Sequence, residues 1–420
     1  MPAAQTKKIA CRRRSTCRLC SATKLTPVIS LAPTPPANAF VDKEHIQEKQ
    51  ELFPLDVFLC QSCAHLQLLD VVDPGVLFSD YVYVSGTSPV FVEHFKNYAR
   101  YAIEHFKLKK DSFVIDIGSN DGTLLKFFKE EGFRVLGIDP AVNIAKAATA
   151  EGIETIPAFF DLSLAKKIRT NHGQAGIVTA NNVFAHSDHL KEFTEGVREL
   201  LGPDGVFIFE VSYLADVVTK ILFDTIYHEH VAYHSVKPLV KFFDSQGMRL
   251  IDALRVDSHG GSLRASAALA QGSRKTSPAV AELLRLEEDL KLNRPETFRA
   301  FETRINKRKE ELVNLVRSLK AQEKSIGGFG APAKATTLMY HFGLGPDLID
   351  FIVDDSPLKQ GLFSPGHHIP VLPSKAIEER RPDYLVIFAW NFAESIIAKN
   401  QKYLQGGGHF IVPLPELKIY

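Results

Sequence analysis

The sequence lacks an excess of charge of either sign, since its 420 residues carry 50 lysines and arginines against 49 aspartates and glutamates. A chain this close to neutrality generates no large field that would attract nucleic acid or an anionic membrane. We therefore expect a small-molecule substrate, with neither nucleic acid nor membrane as a partner. The length favours two or three domains. The oligomeric state stays open, with a monomer favoured.

The first residues are basic but lack the apolar run that a signal peptide or a membrane anchor needs. This start predicts a cytoplasmic protein. Arg12, Arg13 and Arg14 form its basic cluster. We interpret them as a solvated, frayed segment rather than as an arm that binds nucleic acid.

Cysteine is scarce, since the chain has five. Four of them form two pairs with two residues between the partners, Cys17 with Cys20 and Cys60 with Cys63. Two such turns present four thiolates to one tetrahedral zinc ion and leave no ligand position for water. A reducing cytoplasm disfavours the alternatives, which are two disulfides or four unrelated thiols. We predict a structural zinc site, remote from the chemistry, in a small N-terminal module, with Cys11 outside the pattern.

The fingerprint G-x-G-x-x-G of dinucleotide-binding folds is missing as well. The chain has instead an apolar strand, the turn "DIGSNDG", an amphipathic helix and a second strand that ends at Asp139. Gly118 and Gly122 permit a tight turn and a close approach of a ligand, and Asp139 is placed to bind a ribose diol. Asp116 and Asp121 would repel a pyrophosphate but suit a cation such as S-adenosylmethionine. The alternative is a glycine turn that binds nothing.

Two further apolar segments, "AGIVTANNVFAH" and "GVFIFEVSYL", predict strands that extend this unit into an open, mostly parallel sheet. Polar side chains follow both strands at their carboxyl ends, where such sheets bind ligands. They are Asn181, Asn182 and His186 after the first strand, and Glu210, Ser212 and Tyr213 after the second. Each alone is more often a capping or surface group, so the prediction of a site rests on their shared location.

A long charged run from Pro278 to Lys320 has apolar residues at three- and four-residue spacing, which predicts one or two amphipathic connecting helices. The stretch "KSIGGFGAPAKATTLMY" then predicts another strand, glycine turn and helix, and hence a second Rossmann-like unit. This turn carries Lys334 instead of acids, and the next strand ends in Asp354 and Asp355, with Lys359 beyond. Such chemistry is better suited to phosphate or sugar hydroxyls.

Several of these stretches together resemble one family, the S-adenosylmethionine-dependent C-methyltransferases of nucleotide-linked deoxysugars. The matching text is the cysteine quartet with "YVYVSGTS", then "DIGSNDGTLL", "NNVFAH", "FDTIYHEHVAYHS" and "HGGSLR", and finally "GFGAPAKATTL", "VDDSPLKQG" and "HIP". In this order, over nearly the whole chain, the motifs are highly specific. The resemblance implies an α/β fold with a zinc-binding module (1–78), a class I methyltransferase domain (79–272), a helical connector (273–322) and a second Rossmann-like domain (323–420).

The resemblance also implies methyl transfer to a carbon beside a ketone, typically carbon 3 of a 4-keto-hexose on a nucleoside diphosphate. Such a carbon must lose a proton before it attacks the methyl group, so the site needs a base and donors for the enolate oxygen. Carrying over the family pattern, we assign His230 as the base. Tyr227 and Glu229 are neighbours that hold the sugar or relay protons, and Tyr81 and His186 support the enolate.

Residue patterns and the resemblance together distribute the ligand contacts over the two Rossmann-like units. The predicted cofactor contacts are Asp116, Gly118, Ser119, Asn120, Gly122, Asp139, Asn181 and Asn182. The predicted substrate contacts are Tyr83, Ser85, Ser88, His259, Arg264, Lys334 and Lys359. The expected cofactors are S-adenosyl-L-methionine and structural zinc.

Spacing alone does not separate His228 from His230, because in an extended segment both lie on one side while Tyr227 and Glu229 share the other. The alternative interpretation of this stretch is a polar turn with surface histidines. For the whole chain, the alternatives are an O- or N-methyltransferase acting on a nucleotide sugar, an NAD-dependent sugar epimerase or dehydrogenase, and a zinc-bearing binding protein with degenerate enzyme domains.

Overall fold

The computed structural model describes residues 10–79, 85–87, 89–258 and 260–420. Four predicted site residues, Tyr81, Tyr83, Ser88 and His259, lie outside the described residues. Their assignments stay predictions. Within the described ranges, no helix is both long and apolar enough to cross a membrane.

The N-terminal module is built from short antiparallel strands. Its elements are β1 (Cys11–Arg13), β2 (Leu25–Thr34), β3 (Phe53–Cys60), β4 (Leu66–Leu68), β5 (Asp70–Val72) and helix α1 (Pro74–Phe78). Strands β2, β3 and β4 form one sheet, and β1 pairs separately with β5. The two predicted cysteine turns flank this sheet, one before β2 and one between β3 and β4.

The arginine cluster at positions 12 to 14 is not frayed, so that part of the prediction is wrong, although Arg12 and Arg13 are exposed to solvent as expected. Strand β1 is held by its ladder with β5, in which Arg13 faces Asp70. The side chains then find buried or partly buried carboxylates, since Arg13 pairs with Asp70 at 2.7 Å while Arg12 and Arg14 both pair with Asp188. These partners lie far along the chain and leave no local signal around the cluster.

The central domain alternates strands and helices around one sheet. Its elements are α2 (Pro89–Phe106), β6 (Phe113–Ile117), α3 (Thr123–Glu130), β7 (Arg134–Ile138), α4 (Val142–Ala150), β8 (Thr155–Ile156), α5 (Leu162–His172), β9 (Ala175–Asn181), α6 (Leu190–Leu200), β10 (Leu201–Ser212), α7 (Leu214–Thr219), β11 (Ala232–Tyr233), α8 (Val236–Ser245), β12 (Met248–Val256) and β13 (Ser262–Leu269). The predicted strands and their helices are confirmed.

The central sheet has the order β12-β13-β10-β9-β6-β7-β8. Strands β6 to β10 are mutually parallel, and β13 runs antiparallel to both of its neighbours. Every residue of β6 is buried, as expected for a parallel strand that helices cover on both faces. Because the parallel strands end at one edge, the polar residues after β6, β7 and β9 come together there.

The remaining elements form two long helices and a second parallel sheet. They are α9 (Pro278–Asp289), α10 (Pro295–Ala321), β14 (Ile326–Phe329), α11 (Ala333–Phe342), β15 (Ile352–Val353), β16 (Val371–Leu372), α12 (Ala376–Arg380), β17 (Tyr384–Ile387), α13 (Ala393–Lys399), α14 (Gln401–Gln405), β18 (His409–Val412) and β19 (Lys418–Ile419). The order is β16-β15-β14-β17-β18-β19, with β19 antiparallel to β18. A second Rossmann-like unit is therefore present, as predicted.

The N-terminal module, the central domain and the C-terminal unit are joined by direct contacts. The two-residue strand β11 leaves the central domain and extends the N-terminal sheet, with Ala232 opposite Gln67 and Tyr233 opposite Leu66. On the other side, the Thr336 hydroxyl of α11 donates a hydrogen bond to the carbonyl of Ala37 at 3.0 Å. The histidine-rich segment just before β11 consequently lies where all three parts meet.

Candidate active site

A cavity of about 1070 Å³ lies between the three parts of the chain. The N-terminal module contributes Asn38 and Phe78, the central domain contributes its strand ends, and the C-terminal unit contributes Lys334 and Lys359. Sites for one small molecule are typically about 300 to 1,000 Å³. The cavity therefore has room for a cofactor and a second ligand.

The turn after β6 brings the backbone close to this cavity. Gly118 and Gly122 have φ values of 71° and 74°, which strain any residue that carries a Cβ. A Cβ at Gly118 would also lie 2.3 Å from Cγ2 of Val183. The glycine thus lets the turn after β6 pack directly against the turn after β9. The predicted tight turn is confirmed.

Asp139 follows β7 and faces the same cavity. Its two carboxylate oxygens accept hydrogen bonds from the backbone N–H groups of Asn120 and Ala141, each at 2.9 Å. Burial raises the pKa of this carboxyl, and the two N–H groups act in the opposite direction. Each oxygen keeps a lone pair for a ligand hydroxyl, at the strand end where such sheets hold a ribose diol.

Asp116, at the end of β6, supplies the acidic character of the turn. Burial raises its pKa to about 7, although Thr179 donates a hydrogen bond to it at 2.6 Å. Asp121 has a different role, because it accepts hydrogen bonds from the Gly86 N–H and the Thr123 hydroxyl. Of the two acids that the turn carries, Asp116 is the one that lines the described part of the cavity.

The remaining predicted cofactor residues also lie at this edge. Ser119, Asn120, Asn181 and Asn182 line the cavity, and the buried hydroxyl of Ser119 has no hydrogen-bond partner among the described residues. With a negative charge, a strand-end carboxylate and a glycine turn, the residues fit a cationic nucleoside such as S-adenosylmethionine.

The histidine-rich stretch forms a tight turn, in which the N–H of His230 donates to the carbonyl of Tyr227 at 2.9 Å. The rings of Tyr227 and His230 lie 4.1 Å apart between centroids, and both residues line the cavity. The extended segment with these two residues on opposite sides is not formed. A turn brings residues three positions apart together, whereas a strand separates them.

His230 is oriented by the backbone. Its Nδ1 lies 2.7 Å from the carbonyl oxygen of Thr225, so Nδ1 carries the proton and Nε2 keeps a free lone pair. Burial lowers the pKa of His230 to about 4, although the Thr225 carbonyl acts in the opposite direction. The imidazole is therefore neutral near pH 7, which is the state that a general base requires.

His228 points away from the cavity. Its Nε2 lies 3.2 Å from the carbonyl oxygen of Phe53 and 3.3 Å from that of Pro54, in the N-terminal module. Glu229 is buried and accepts a hydrogen bond from Asn38 at 2.7 Å. The structure thus distinguishes the two histidines, which sequence spacing did not.

His186 lies against His230, with ring centroids 5.1 Å apart, and stacks on Phe78 on its other side at 5.2 Å. Burial, assisted by His230, lowers the pKa of His186 well below its usual value. Its buried Nε2 has no hydrogen-bond partner among the described residues. The two neutral imidazoles therefore lie side by side at the same end of the cavity.

Lys334 and Lys359 place positive charge on the part of the cavity wall that the C-terminal unit contributes. The ammonium of Lys334 contacts Asn391 and lies 3.7 Å from Asp224, and Lys359 donates to the carbonyl of Ala331 at 2.8 Å. Burial lowers the pKa of both lysines, while nearby carboxylates act in the opposite direction. Each ammonium has three donors, so neither is saturated by the contacts named.

Two other predicted substrate residues differ in position. Ser85 lines the cavity, and its N–H donates to the side chain of Asn120 at 2.9 Å. Arg264 forms a buried ion pair with Glu210, 2.6 Å from Nε to Oε1, and lies over the ring of Tyr98. Arg264 is absent from the described cavity lining, so its contact with substrate stays a prediction.

The cysteine quartet is assembled as a closed site. The four sulfurs lie within 4.8 Å of one another, and both the Cys17–Cys63 and the Cys20–Cys60 sulfur pairs are 3.6 Å apart. A zinc ion with Zn–S bonds of about 2.3 Å requires sulfurs about 3.8 Å apart. The described cavity lining includes none of the four. The geometry fits a structural zinc ion that takes no part in the chemistry.

Sequence reasoning missed three residues at or beside the site. Asp188 lies in the cavity wall and collects arginines from the N-terminal module. Asp224 is fully buried and accepts a hydrogen bond from the Trp390 indole at 2.6 Å. Asn38 comes from the proline-rich loop of the N-terminal module. Each meets its partner across a long sequence separation, which local patterns do not reveal.

Three family models match the chain in succession: a zinc binding domain over residues 17–78, a methyltransferase domain over 91–253 and a C-methyltransferase C-terminal domain over 257–415. With the sheet order and the acidic glycine turn, they define a class I S-adenosylmethionine-dependent methyltransferase. Among solved structures, the PH0226 protein from Pyrococcus horikoshii OT3 is 15% identical and covers 45% of this chain and 95% of its own, at a TM-score of 0.36. The 1,6-didemethyltoxoflavin-N1-methyltransferase of Burkholderia thailandensis is 21% identical and covers 46% and 83%, at 0.34.

A curated relative narrows the class. The C-methyltransferase NovU from Streptomyces niveus is 38% identical over 403 residues, which are 96% of this chain and 96% of that protein. The chain belongs to the family of C-methyltransferases that combine these three domains. It is an S-adenosylmethionine-dependent enzyme with a zinc-binding module, as predicted. Because the chain belongs to this family, it is a methyltransferase that acts on carbon. The alternatives of an O- or N-methyltransferase, an NAD-dependent enzyme and a zinc-bearing binding protein are therefore excluded.

Proposed function

We propose that this enzyme methylates carbon 3 of a nucleoside-diphosphate-linked 4-keto-deoxysugar. The observation that carries the proposal is the orientation of His230, whose Nδ1 is bound to the Thr225 carbonyl so that its neutral Nε2 is free as a base in the cavity. A carbon beside a ketone needs a positioned base, and the buried imidazole provides one.

The roles of the other residues follow from their places. His230 removes the proton from the carbon, the electron pair moves onto the ketone oxygen, and the carbon then forms its bond to the methyl group. When bound, the cofactor supplies a methyl group whose departure leaves the electron pair on sulfur. His186, stacked on His230, is placed to donate to the enolate oxygen. Tyr227 packs on the base and fixes its ring plane.

We assign the nucleotide portion of the substrate to the part of the cavity wall that the C-terminal unit contributes. Lys334 and Lys359 supply charge for a diphosphate there, away from the acidic turn at Asp116, which would repel it. The chain's near neutrality and a cavity of about 1070 Å³ favour such a small ligand over nucleic acid or membrane. We expect the enzyme to act in the cytoplasm, with a monomer favoured.

The base can be tested by His230→Asn, which keeps a polar side chain and removes the proton acceptor. We expect the variant to bind cofactor and substrate normally and to lose about 10²- to 10⁴-fold in the chemical step. The assay is mass spectrometry of a panel of nucleoside-diphosphate keto-sugars with a labelled methyl donor. In deuterated buffer without the donor, the wild type should introduce deuterium at the acidic carbon, and the variant should not.

The matched control is His228→Asn, because His228 is a buried histidine of the same turn that contacts backbone carbonyls outside the cavity. It should lose much less activity. Normal deuterium exchange by His230→Asn would move the base elsewhere. Failure to methylate any keto-sugar of the panel would remove the proposed substrate class.

A further inference from the structure

The first cysteine turn is connected to the active-site wall through Arg18. This arginine lies between Cys17 and Cys20, and its side chain is fully buried. Its Nε is 2.9 Å from a carboxylate oxygen of Asp188, and its Nη1 donates to the side chain of Gln67 at 3.0 Å. Removal of either partner of such a buried ion pair leaves the other charge uncompensated, which is strongly destabilising.

Asp188 stands two residues after His186 and is itself almost fully buried. Arg14 binds its carboxylate and also donates to its backbone carbonyl at 3.0 Å, while Arg12 binds the other carboxylate oxygen. Burial would raise the pKa of Asp188, but the three arginines together hold it below its usual value. The segment that carries His186 is thus clamped from the N-terminal module by both side-chain and backbone bonds.

The second cysteine turn is connected to the other histidine. The turn from Cys60 to Cys63 joins β3 to β4, and β4 pairs with β11 immediately after His230. The N–H of Leu68 donates to the carbonyl of Val231 at 3.0 Å, one residue from His230. Each zinc-binding turn is therefore linked to a segment that carries one of the two stacked imidazoles. The first turn is linked through Arg18 and Asp188 to the segment of His186, and the second through β4 and β11 to the segment of His230.

We propose that the zinc module is a positioning device for carbon methylation, in which Arg18 and Asp188 hold His186 while β4 and β11 hold His230. A zinc ion on all four cysteines fixes the two turns relative to each other, and so fixes the two imidazoles. This inference rests on the proposed function, since it takes these histidines as the pair that handles the proton and the enolate. Arg18 and Asp188 are positioning residues and do not touch the reacting atoms.

The test is Asp188→Asn, which keeps the shape of the side chain, removes the charge that three arginines hold and replaces one acceptor oxygen with an amide donor. Because small displacements of catalytic groups cost up to about 100-fold, we expect kcat to fall about 10- to 100-fold. KM and cofactor affinity should stay within about threefold, and zinc content should be unchanged. Arg18→Met should act in the same direction. If that variant does not fold, the isosteric Asp188→Asn alone decides.

A second measurement separates positioning from direct electrostatics. Histidine resonances of the ¹⁵N-labelled enzyme, assigned with His186→Asn and His230→Asn, give the pKa of each imidazole without any substrate. Loss of a nearby negative charge by itself would lower the pKa of His186 further. Loss of its clamp would expose the ring and raise that pKa toward its usual value. We expect the rise.

The matched control is Asp70→Asn, which removes a buried aspartate that pairs with Arg13 inside the same module. It should leave kcat and the His186 pKa unchanged. The proposal is overturned if Asp188→Asn keeps its kcat, if kcat falls only in proportion to lost zinc, or if the His186 pKa stays or falls. Full activity of His230→Asn would instead remove the proposed base, and the His186 titration would still decide the coupling.

Discussion

The two Rossmann-like units use the same backbone device around a strand-end aspartate. Asp139 accepts hydrogen bonds from Asn120, in the glycine turn of the preceding strand, and from Ala141 two residues onward. Asp354 accepts equivalent bonds from Ala331, in its own glycine turn, at 2.6 Å, and from Ser356 two residues onward at 2.8 Å. Both aspartates therefore fix the turn of the neighbouring strand.

The two units differ in the charge that their turns present. The first places buried Asp116 at the cavity, and the second places Lys334 there, with Lys359 close to its Asp354. Backbone geometry builds the cradle in both, and the two units differ in the charged side chain that they place at the cavity. We infer that the first cradle selects a cation and the second an anion.

The largest effect should come from a Lys334→Gln, Lys359→Gln double variant, which removes both lysine charges of the second unit from the cavity wall. Each lost charge-assisted contact costs about 1.5 to 3 kcal/mol, so affinity for a nucleoside diphosphate should fall at least about 100-fold. Cofactor affinity should change by less than about twofold. Calorimetry with each ligand alone measures both. Lys324→Gln, which removes an exposed lysine of the same unit, is the control.

Asp139→Ala tests the first unit, because it removes the strand-end carboxylate of that unit. Loss of a charge-assisted bond to a ribose diol should weaken S-adenosylmethionine binding by about 1.5 to 3 kcal/mol, or roughly 10- to 150-fold. Asp354→Ala removes the equivalent carboxylate of the second unit and should leave cofactor affinity intact. An unchanged calorimetric titration for Asp139→Ala would contradict the assignment of that residue, and equal losses in both variants would contradict the division of labour.

A smaller effect sharpens the comparison through pH. Because burial raises the pKa of Asp116 to about 7, its carboxyl is half protonated near neutrality and gains charge as pH rises. Binding of a cation favours the ionised form, so cofactor affinity should fall severalfold between pH 8 and pH 6 with proton release on binding. Asp116→Asn should remove this dependence while keeping the Thr179 hydrogen bond. Nucleoside diphosphate binding should not weaken on acidification.

The fold and the cofactor turn could be predicted because their signals are local. Strand, turn and helix patterns mark both Rossmann-like units, and the spacing within each cysteine pair marks the zinc site. The histidine turn was harder, since an alternating polar stretch fits a strand as well as a turn. Its identity depends on the bond from His230 to Tyr227 and on packing against the N-terminal module.

The long-range pairings could not be predicted from one sequence. Arg18 and Asp188 are 170 positions apart in the printed numbering, and nothing near either residue indicates the other. Strand β11 has two residues, too few for a periodic pattern. These are the contacts that join the modules and set the active-site geometry, so the site was predicted as a set of residues but not as an arrangement.

The pairing of β11 with the edge of the N-terminal sheet has a consequence for synthesis of the chain. The zinc module leaves the ribosome before the central domain, and the edge of β4 has to wait for Ala232, roughly 160 residues later. At about 5 to 20 residues per second, that edge stays unpaired for roughly 8 to 30 s. An open edge strand invites pairing with other chains. The nascent protein is therefore most vulnerable to misassembly during this interval, before its own sequence supplies the missing strand.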